Sequence, residues 1–400
     1  MKSLPVLFVT FFILLYAVSP VYSGTVFSSY GIGIPYDFPS TQSMGLGDVS
    51  IALLSPVNIN RTNPAALHLI RTSRLSIQYL FENNVYDDGT DKANSVYSNF
   101  DGFYFVVPLG KDIRFASGLR PWTRADYHLL FESSFYNETY SKSVVGEGGL
   151  NTFNFSLSWS PLTRASIGIT GNYVFGTIEE KWELVFNNTS FVSSNDVITT
   201  RMNGLNFTAG FIVQPWTTLS IGGIFRPGFE IDTETEMDYV FDTPEDLVEG
   251  ILNYPMSWGL GAVYYMKDIG LVGMEYFTRK WNEFSIQNEE VDGLHESKRI
   301  SIGAELLRST DPFSRYSKRI AYRIGFSYKT FPVTDLNNND ITETCFSLGF
   351  GFPLSLNVAH INAAIQYGKR GNLNTSGLSE NLLRISLAIS GGEKWFVKRY

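Results

Sequence analysis

The chain has 400 residues, a net charge of -8, and only 18% charged residues beside 15% aromatic ones; soluble domains usually carry about 25% charged residues. The acidic balance argues against nucleic acid as a partner. The lone Cys345 excludes an intramolecular disulfide.

Residues 1–23 read as a secretory signal peptide. Lys2 supplies the positive start, Leu4 to Ala17 the apolar core, and Val21-Tyr22-Ser23 a small-residue cleavage site before Gly24. No cysteine lies at the cut, which argues against a lipoprotein. No later stretch reaches the ~18 apolar residues of a spanning helix, so passage through a membrane would have to use strands. Residues 24–71 form a separate segment rich in Gly, Ser and Pro.

From residue 72 to 390 the chain alternates. In Arg319 to Tyr328 every even position is large and apolar or aromatic, and every odd one is small or charged. Side chains on a strand point to opposite faces with period 2, so such a segment has one oily face and one wet one. Arg299 to Leu306 and Leu383 to Ser390 repeat the code. Fourteen strands are expected, near Arg74–Glu82, Asn99–Pro108, Asp112–Ser134, Leu150–Ser160, Arg164–Phe186, Arg201–Val213, Thr217–Tyr239, Met256–Tyr265, Ile269–Trp281, Ser297–Leu307, Arg319–Lys329, Ile341–Phe352, Asn357–Tyr367 and Asn381–Ser390.

Their connections alternate in length. Leu109-Gly110-Lys111, Pro161-Leu162-Thr163 and Gln214-Pro215-Trp216 are short; Phe81 to Tyr97, Phe135 to Gly148 and Gly368 to Glu380 are long. Short periplasmic turns and long extracellular loops mark bacterial outer-membrane barrels. An even strand number puts both termini in the periplasm. The link Arg308 to Lys318 breaks the rule, being long where parity asks for a short turn. Trp159 and Trp216 fall at the expected inner turns and Trp258 and Trp281 at the outer ends, as in aromatic girdles. The expected fold is all-β: a transmembrane antiparallel β-barrel of about 14 strands in contact with outer-membrane lipid. Residues 391–400 follow as a periplasmic tail. Many barrels close the last strand on an aromatic residue, read by the barrel-assembly machinery as an expected partner; here Tyr400 stands well past Ser390.

Within the N-terminal segment stand Ser43-Met44-Gly45-Leu46-Gly47-Asp48 and then Asn63-Pro64-Ala65-Ala66-Leu67. This pattern resembles the start of the FadL-type long-chain fatty acid transporter family and its hydrocarbon-transporting relatives. The resemblance implies that Gly45, Gly47, Asn63, Pro64 and Ala65 belong to a hatch folded inside the barrel, and that the ligand is a small hydrophobic molecule. The wider group also holds PorV-like barrels, which serve protein secretion or surface attachment, so a secretion partner protein is the alternative expectation. In the transporters an inward kink of the third strand opens a lateral exit. Gly118, Arg120 and Pro121 fall on the third expected strand, where Pro cannot donate to a ladder; a simple bulge is the other reading.

Setting the apolar parity outward turns Glu275, Arg299, Glu305, Arg319 and Arg323 into the lumen, together with Arg114, Arg120, His360 and Arg384. Opposite charges on neighbouring strands can pair, so these residues read either as a ladder that anchors the hatch or as contacts for a ligand carboxylate. Asp335 to Asp340 resembles the front of a calcium loop but lacks the Gly at its sixth position and the Glu at its twelfth, so no metal and no cofactor is expected. No His-Glu-x-x-His, Gly-x-Ser-x-Gly or Cys-x-x-Cys spacing is present, and no enzyme is expected.

Overall fold

The structure is a computed structural model and describes residues 32–36, 39–90, 92–135, 138–186, 192–240, 247–306, 309, 311, 313–334, 339–355, 358–393 and 395. The expected signal peptide, most of the calcium-like loop and most of the tail lie outside the described residues.

Fourteen strands form the wall. They are β1 (Ser73–Asp87), β2 (Lys92–Pro108), β3 (Ile113–Pro121 and Thr123–Phe135), β4 (Glu138–Leu162), β5 (Ala165–Phe186), β6 (Ser194–Trp216) and β7 (Leu219–Arg226 and Phe229–Asp238), followed by β8 (Val248–Tyr254 and Ser257–Met266), β9 (Gly270–Arg279), β10 (Ser297–Leu306), β11 (Ala321–Thr334), β12 (Asp340–Ser355), β13 (Ala359–Asn372) and β14 (Leu378–Glu393). Sequence neighbours pair antiparallel. β1 then pairs with β14 from Ser73↔Glu393 to Asp87↔Ser379, which closes the sheet on itself. Closure removes the free strand edges that an open sheet would expose in lipid.

Apolar side chains of one parity form the outer surface. On β6 these are Leu205, Phe207, Phe211 and Val213; on β10 Ile300, Ile302 and Leu306; on β11 Tyr322, Ile324 and Tyr328. Trp159 and Trp216 are exposed beside short turns, while Trp281 is only 5% exposed and packs inside the lumen rather than in the expected outer girdle. The wall is also taller than expected. β4, β5 and β6 run for 25, 22 and 23 residues, about twice the ~9–11 needed to cross lipid. Much of each expected long loop is strand: β1 and β2 continue to Asp87 and from Lys92, and β4 starts at Glu138. Beyond the lipid both faces are wet, so the period-2 signal fades although the ladder continues.

Residues 39–70 fill the lumen. Helix α1 (Thr41–Met44) starts at Ser40, whose hydroxyl accepts from the Ser43 N–H. A 3-10 helix follows over Pro64–Leu69, opened by the Asn63 side chain accepting from the Ala65 N–H at 3.0 Å. Asn at the cap and Pro at the first position satisfy a helix start for separate reasons: one supplies an acceptor, the other lacks a donor that would be orphaned anyway.

Candidate functional site

The lumenal segment is fastened to the wall by backbone contact and by buried polar bonds. Gly47 has a φ of +65° and lies against the backbone of Phe326 on β11. On the wall, Gly303 and Gly325 have no room for a Cβ, because the Leu46 and Gly47 backbones occupy that space; Gly45 abuts Gly349 in the same way. The Glu275 carboxylate accepts from the Ser50 and Ile51 N–H groups, both at 2.7 Å, and pairs with Arg299 at 2.8 Å. Arg323 pairs with Glu305 and donates to Asn362 at 3.0 Å, and Asn362 in turn donates to Asn58 at 2.8 Å. Asn63 donates to the Ile51 and Phe211 carbonyls while capping its helix, so one side chain ties the segment to itself and to β6. Pro64 and Ala65 rest on Gly168 of β5.

A second set of charges lies higher in the lumen, and most of it escapes sequence reasoning. Arg384 bonds to both Glu82 and Glu343; Arg370 bonds to Glu343 and Glu380, both at 2.6 Å; Arg124 bonds to Glu82 at 3.0 Å. All six are buried. Three carboxylates and three guanidiniums thus neutralise one another in a medium where a lone charge would cost several kcal/mol. Parity could have placed Glu82 and Arg124. Glu343 stands two residues inside its expected strand, while Arg370 and Glu380 lie beyond the limits of theirs. Asp48 of the lumenal segment faces this set, and burial pushes its carboxyl up to about 6 despite the nearby Arg299 and Arg384.

Among the described residues, the pairing of β2 with β3 is interrupted. The lower half of β3 pairs with β2 from Phe103↔Leu119 to Pro108↔Arg114, but the upper half, Thr123–Phe135, pairs with β4 and not with β2. Three irregularities meet at that level. On β2, Asp101 is the extra residue of a bulge and turns inward to pair with Arg61 at 3.0 Å. β3 breaks between Pro121 and Thr123. On β4, Gly148 and Gly149 adopt φ of +122° and +138°, while five residues of β3 (Pro121 to Ala125) match four of β4 (Asn151 to Gly148). Such bulges bend a strand and re-aim its side chains. The freed edge of β3 is taken by the lumenal segment: Ile34 and Pro35 pair with Arg124 and Thr123, and the Tyr36 N–H donates to the Trp122 carbonyl at 2.8 Å. Between the separated strands lies a cleft of about 650 Å³ lined by Tyr97, Pro121, Arg124, Ala125, Leu150 and Gly176, among others. Arg124 stacks over the Tyr97 ring at 4.0 Å and so spans the seam.

Ala125 and Leu150 also belong to the largest apolar cluster of the lumen, with Ile32, Trp122, Tyr127, Ile231, Leu252, Tyr254, Trp281 and Phe284. Five rings run on from the seam. Trp122 lies 6.1 Å from Phe229 and 5.8 Å from Tyr254; Tyr254 lies 5.5 Å from Trp281, and Trp281 5.6 Å from Phe284. An apolar cavity of about 80 Å³ opens beside them, between Gly33–Pro35, Trp281, Phe284, Leu294, Phe331 and Val333.

Of the expected gate residues, Pro121 stands at the break and lines the cleft, Gly118 lies against Phe103 and Tyr104 lower on the wall, and Arg120 faces a small polar cavity next to Arg61. Arg299, Arg323, Glu305 and Glu275 come together as ion pairs on β9–β11. Arg319 does not join them. It precedes β11, on the short helix α2 (Tyr316–Arg319), with its guanidinium over Tyr316 at 5.1 Å.

A closed fourteen-stranded wall, a segment filling its lumen and an interrupted third strand define an outer-membrane β-barrel of the FadL type. A family profile described as BamG matches residues 1–400, and the chain belongs to the BamG family. No curated protein matches the sequence. Solved structures share the fold. The toluene transporter TbuX of Ralstonia pickettii has 13% identity and a TM-score of 0.61 over 88% of this chain and 98% of its own. A FadL homologue of Pseudomonas aeruginosa has 12% identity and a TM-score of 0.61 over 90% and 99%. The toluene transporter TodX of Pseudomonas putida has 13% identity and a TM-score of 0.56 over 94% and 100%.

Proposed function

We propose that the chain passes small hydrophobic molecules from an apolar vestibule sideways into the outer leaflet, with residues 39–70 staying seated as a hatch. Both termini and the short turns face the periplasm, and the tall hairpins face outward. The observation that carries this reading is the seam: β2 and β3 part above Phe103, and the walls of the resulting cleft include Ala125 and Leu150 of the apolar cluster. A lateral route keeps an apolar ligand out of water, where each CH₂ would forfeit about 0.8 kcal/mol. The cavity beside Trp281, at about 80 Å³, is roughly half the size of an engineered cavity that accepts benzene. Loading therefore needs residues 33–35 to move. Arg299 already holds the buried Glu275 carboxylate and Arg323 the partly buried Glu305, so a ligand carboxylate would have to break an existing pair, and neutral hydrocarbons are favoured over fatty acids.

The test is uptake of toluene by cells that depend on this barrel. Ala125→Trp, which fills the cleft, and Pro121→Val, which favours continuous pairing of β3, should each lower uptake by about tenfold or more while the barrel stays heat-modifiable. Unchanged uptake in both variants would exclude the seam as a route.

A second reading rests on the family name, which belongs to the naming series of the barrel-assembly machinery. A barrel acting beside that machinery, or beside a secretion partner as PorV-like barrels do, would co-purify with it after in-cell cross-linking and would show no hydrocarbon uptake.

A further inference from the structure

The link between β10 and β11 is the one inner-end connection too long for a turn, and hydrogen bonds give it a shape. The Ser309 N–H donates to the Lys318 carbonyl at 2.7 Å, the Phe313 N–H to the Asp311 carboxylate at 3.0 Å, and the Lys318 N–H to the Arg315 carbonyl at 2.9 Å. The loop so built presents Phe313 with 96% of its surface exposed, and Tyr316 at 44%. A hydrogen-bonded loop that holds a whole phenyl ring in water forgoes the favourable free energy of its burial. The same loop carries Arg315, Lys318 and Arg319, none of which makes an ion pair among the described residues. The single carboxylate described there, Asp311, is bonded to Ser314 and the Phe313 N–H.

The placement of this loop indicates what covers it. Tyr322 at the start of β11 shares the outward, lipid-facing parity of Ile324 and Tyr328, and its hydroxyl donates to the Ser317 carbonyl at 3.2 Å. Tyr322 also packs edge-on against Phe350 at 6.0 Å, and Phe350 stacks on Phe352 at 6.2 Å. Helix α2 is therefore tied to the aromatic girdle on the outside of the wall, continuous with the surface that meets lipid. Rings at the interface with cations beside them are the features that hold protein to an anionic membrane surface.

We propose that Phe313 and Tyr316 insert at the inner-leaflet interface and that Arg315, Lys318 and Arg319 bind the headgroup of an anionic phospholipid. This site is distinct from the lumen and the seam; it rests on the proposed orientation, and on no other part of the proposed function.

The experiment uses the full barrel in phosphatidylethanolamine vesicles with or without phosphatidylglycerol. Cys345 is buried, so the Phe313→Cys variant can carry an environment-sensitive fluorophore. Its emission should be blue-shifted and quenched several-fold more by spin-labelled phosphatidylglycerol than by spin-labelled phosphatidylethanolamine. Adding Arg315→Ser, Lys318→Ser and Arg319→Ser should lower that preference by roughly fivefold per cation while the barrel stays heat-modifiable. Water-like emission in both vesicles would overturn the proposal. So would equal quenching by both lipids, or a shift that appears only when periplasmic proteins are added, which would make the loop a protein-docking site. Orientation is read separately with a membrane-impermeant maleimide on intact cells. Thr90→Cys should be labelled and Phe313→Cys should not, and the reverse would overturn the orientation whatever the lipid result.

Discussion

The wall at β9–β12 and the seam at β2–β3 both meet the lumenal segment, and they hold it in opposite ways. At β9–β12 the ladder is continuous, Gly303, Gly325 and Gly349 let backbone touch backbone, Glu275 binds the segment through charge-assisted bonds, and Arg323 reaches it through Asn362. At the seam the ladder is missing above Phe103, Ile34 and Pro35 pair with β3, and Arg124 reaches across to Tyr97 and Glu82. The first arrangement is over-determined, since removing any one contact leaves several. The second has few contacts to lose. A rigid mount and a weak seam in one wall favour motion of residues 32–36 and upper β3 over ejection of the hatch.

The largest expected effect comes from the second charge set, on β1, β12 and β14. Arg384→Met leaves Glu82 and Glu343 each short of a guanidinium in a buried site, and unpairing buried charge costs roughly 3–5 kcal/mol. The unfolding midpoint in urea should fall accordingly, and Glu82→Gln added to Arg384→Met should recover part of the loss. No recovery would mean that packing rather than charge was removed. Gly325→Val follows, because its side chain must occupy the space of the Gly47 nitrogen. Overpacking of this kind costs about 3 kcal/mol, and yielding at Gly47 should unseat the hatch. Single-channel conductance should then rise in planar bilayers. A closed barrel carrying Gly325→Val would show that the hatch can reseat elsewhere.

The mount was only partly legible in the sequence. Tyr322, Ile324, Phe326 and Tyr328 alternate cleanly against Arg323 because one face of β11 meets lipid and the other meets the lumenal segment. That alternation depends on lipid, and it fades where the strands rise above it. Glu343, Arg370 and Glu380 therefore lay too close to expected loops to be read as a network. Arg319 continued the alternation by coincidence: the strand begins at Ala321, and a helical turn precedes it. The seam was legible at Pro121, whose missing donor is a property of the residue. It was not legible at Asp101, since a bulge changes parity without leaving a mark in composition. Trp281 was misplaced for a related reason. Tryptophan suits an interface and an apolar lumen equally well, and only packing against Tyr254 and Phe284 decides between them.

Asp48 sharpens the contrast from inside the mount. Its carboxyl is raised from an ordinary 3.8 to about 6, chiefly by burial. A raised acid binds its proton more tightly in the folded barrel than in the unfolded chain. Its contribution therefore favours folding below about pH 4, declines as pH rises from about 4 to 6, and is absent above the folded value. The shift corresponds to at most about 3 kcal/mol. Asp48→Asn should flatten the stability profile between pH 4 and 7 and raise the urea midpoint at pH 7. A profile with the same slope in both proteins would assign the pH dependence to other groups.

The smallest expected change in stability tests the seam itself. Arg124→Gln removes the ion pair to Glu82 and the guanidinium over Tyr97, but Glu82 keeps Arg384. The loss should be near 2 kcal/mol, the scale of one hydrogen bond to a charged group, rather than the 3–5 expected at Arg384. Its consequence for passage should run the other way. The cleft loses the side chain that spans it, while the Ile34–Pro35 pairing keeps its backbone bonds and the packing of Ile34 on Phe331 and Val333. Toluene uptake should rise several-fold as stability falls slightly. A more stable barrel with slower uptake would place the moving part elsewhere. Falls in both at the Arg384→Met scale would make Arg124 part of the mount, and the seam would then be as firmly held as the wall opposite.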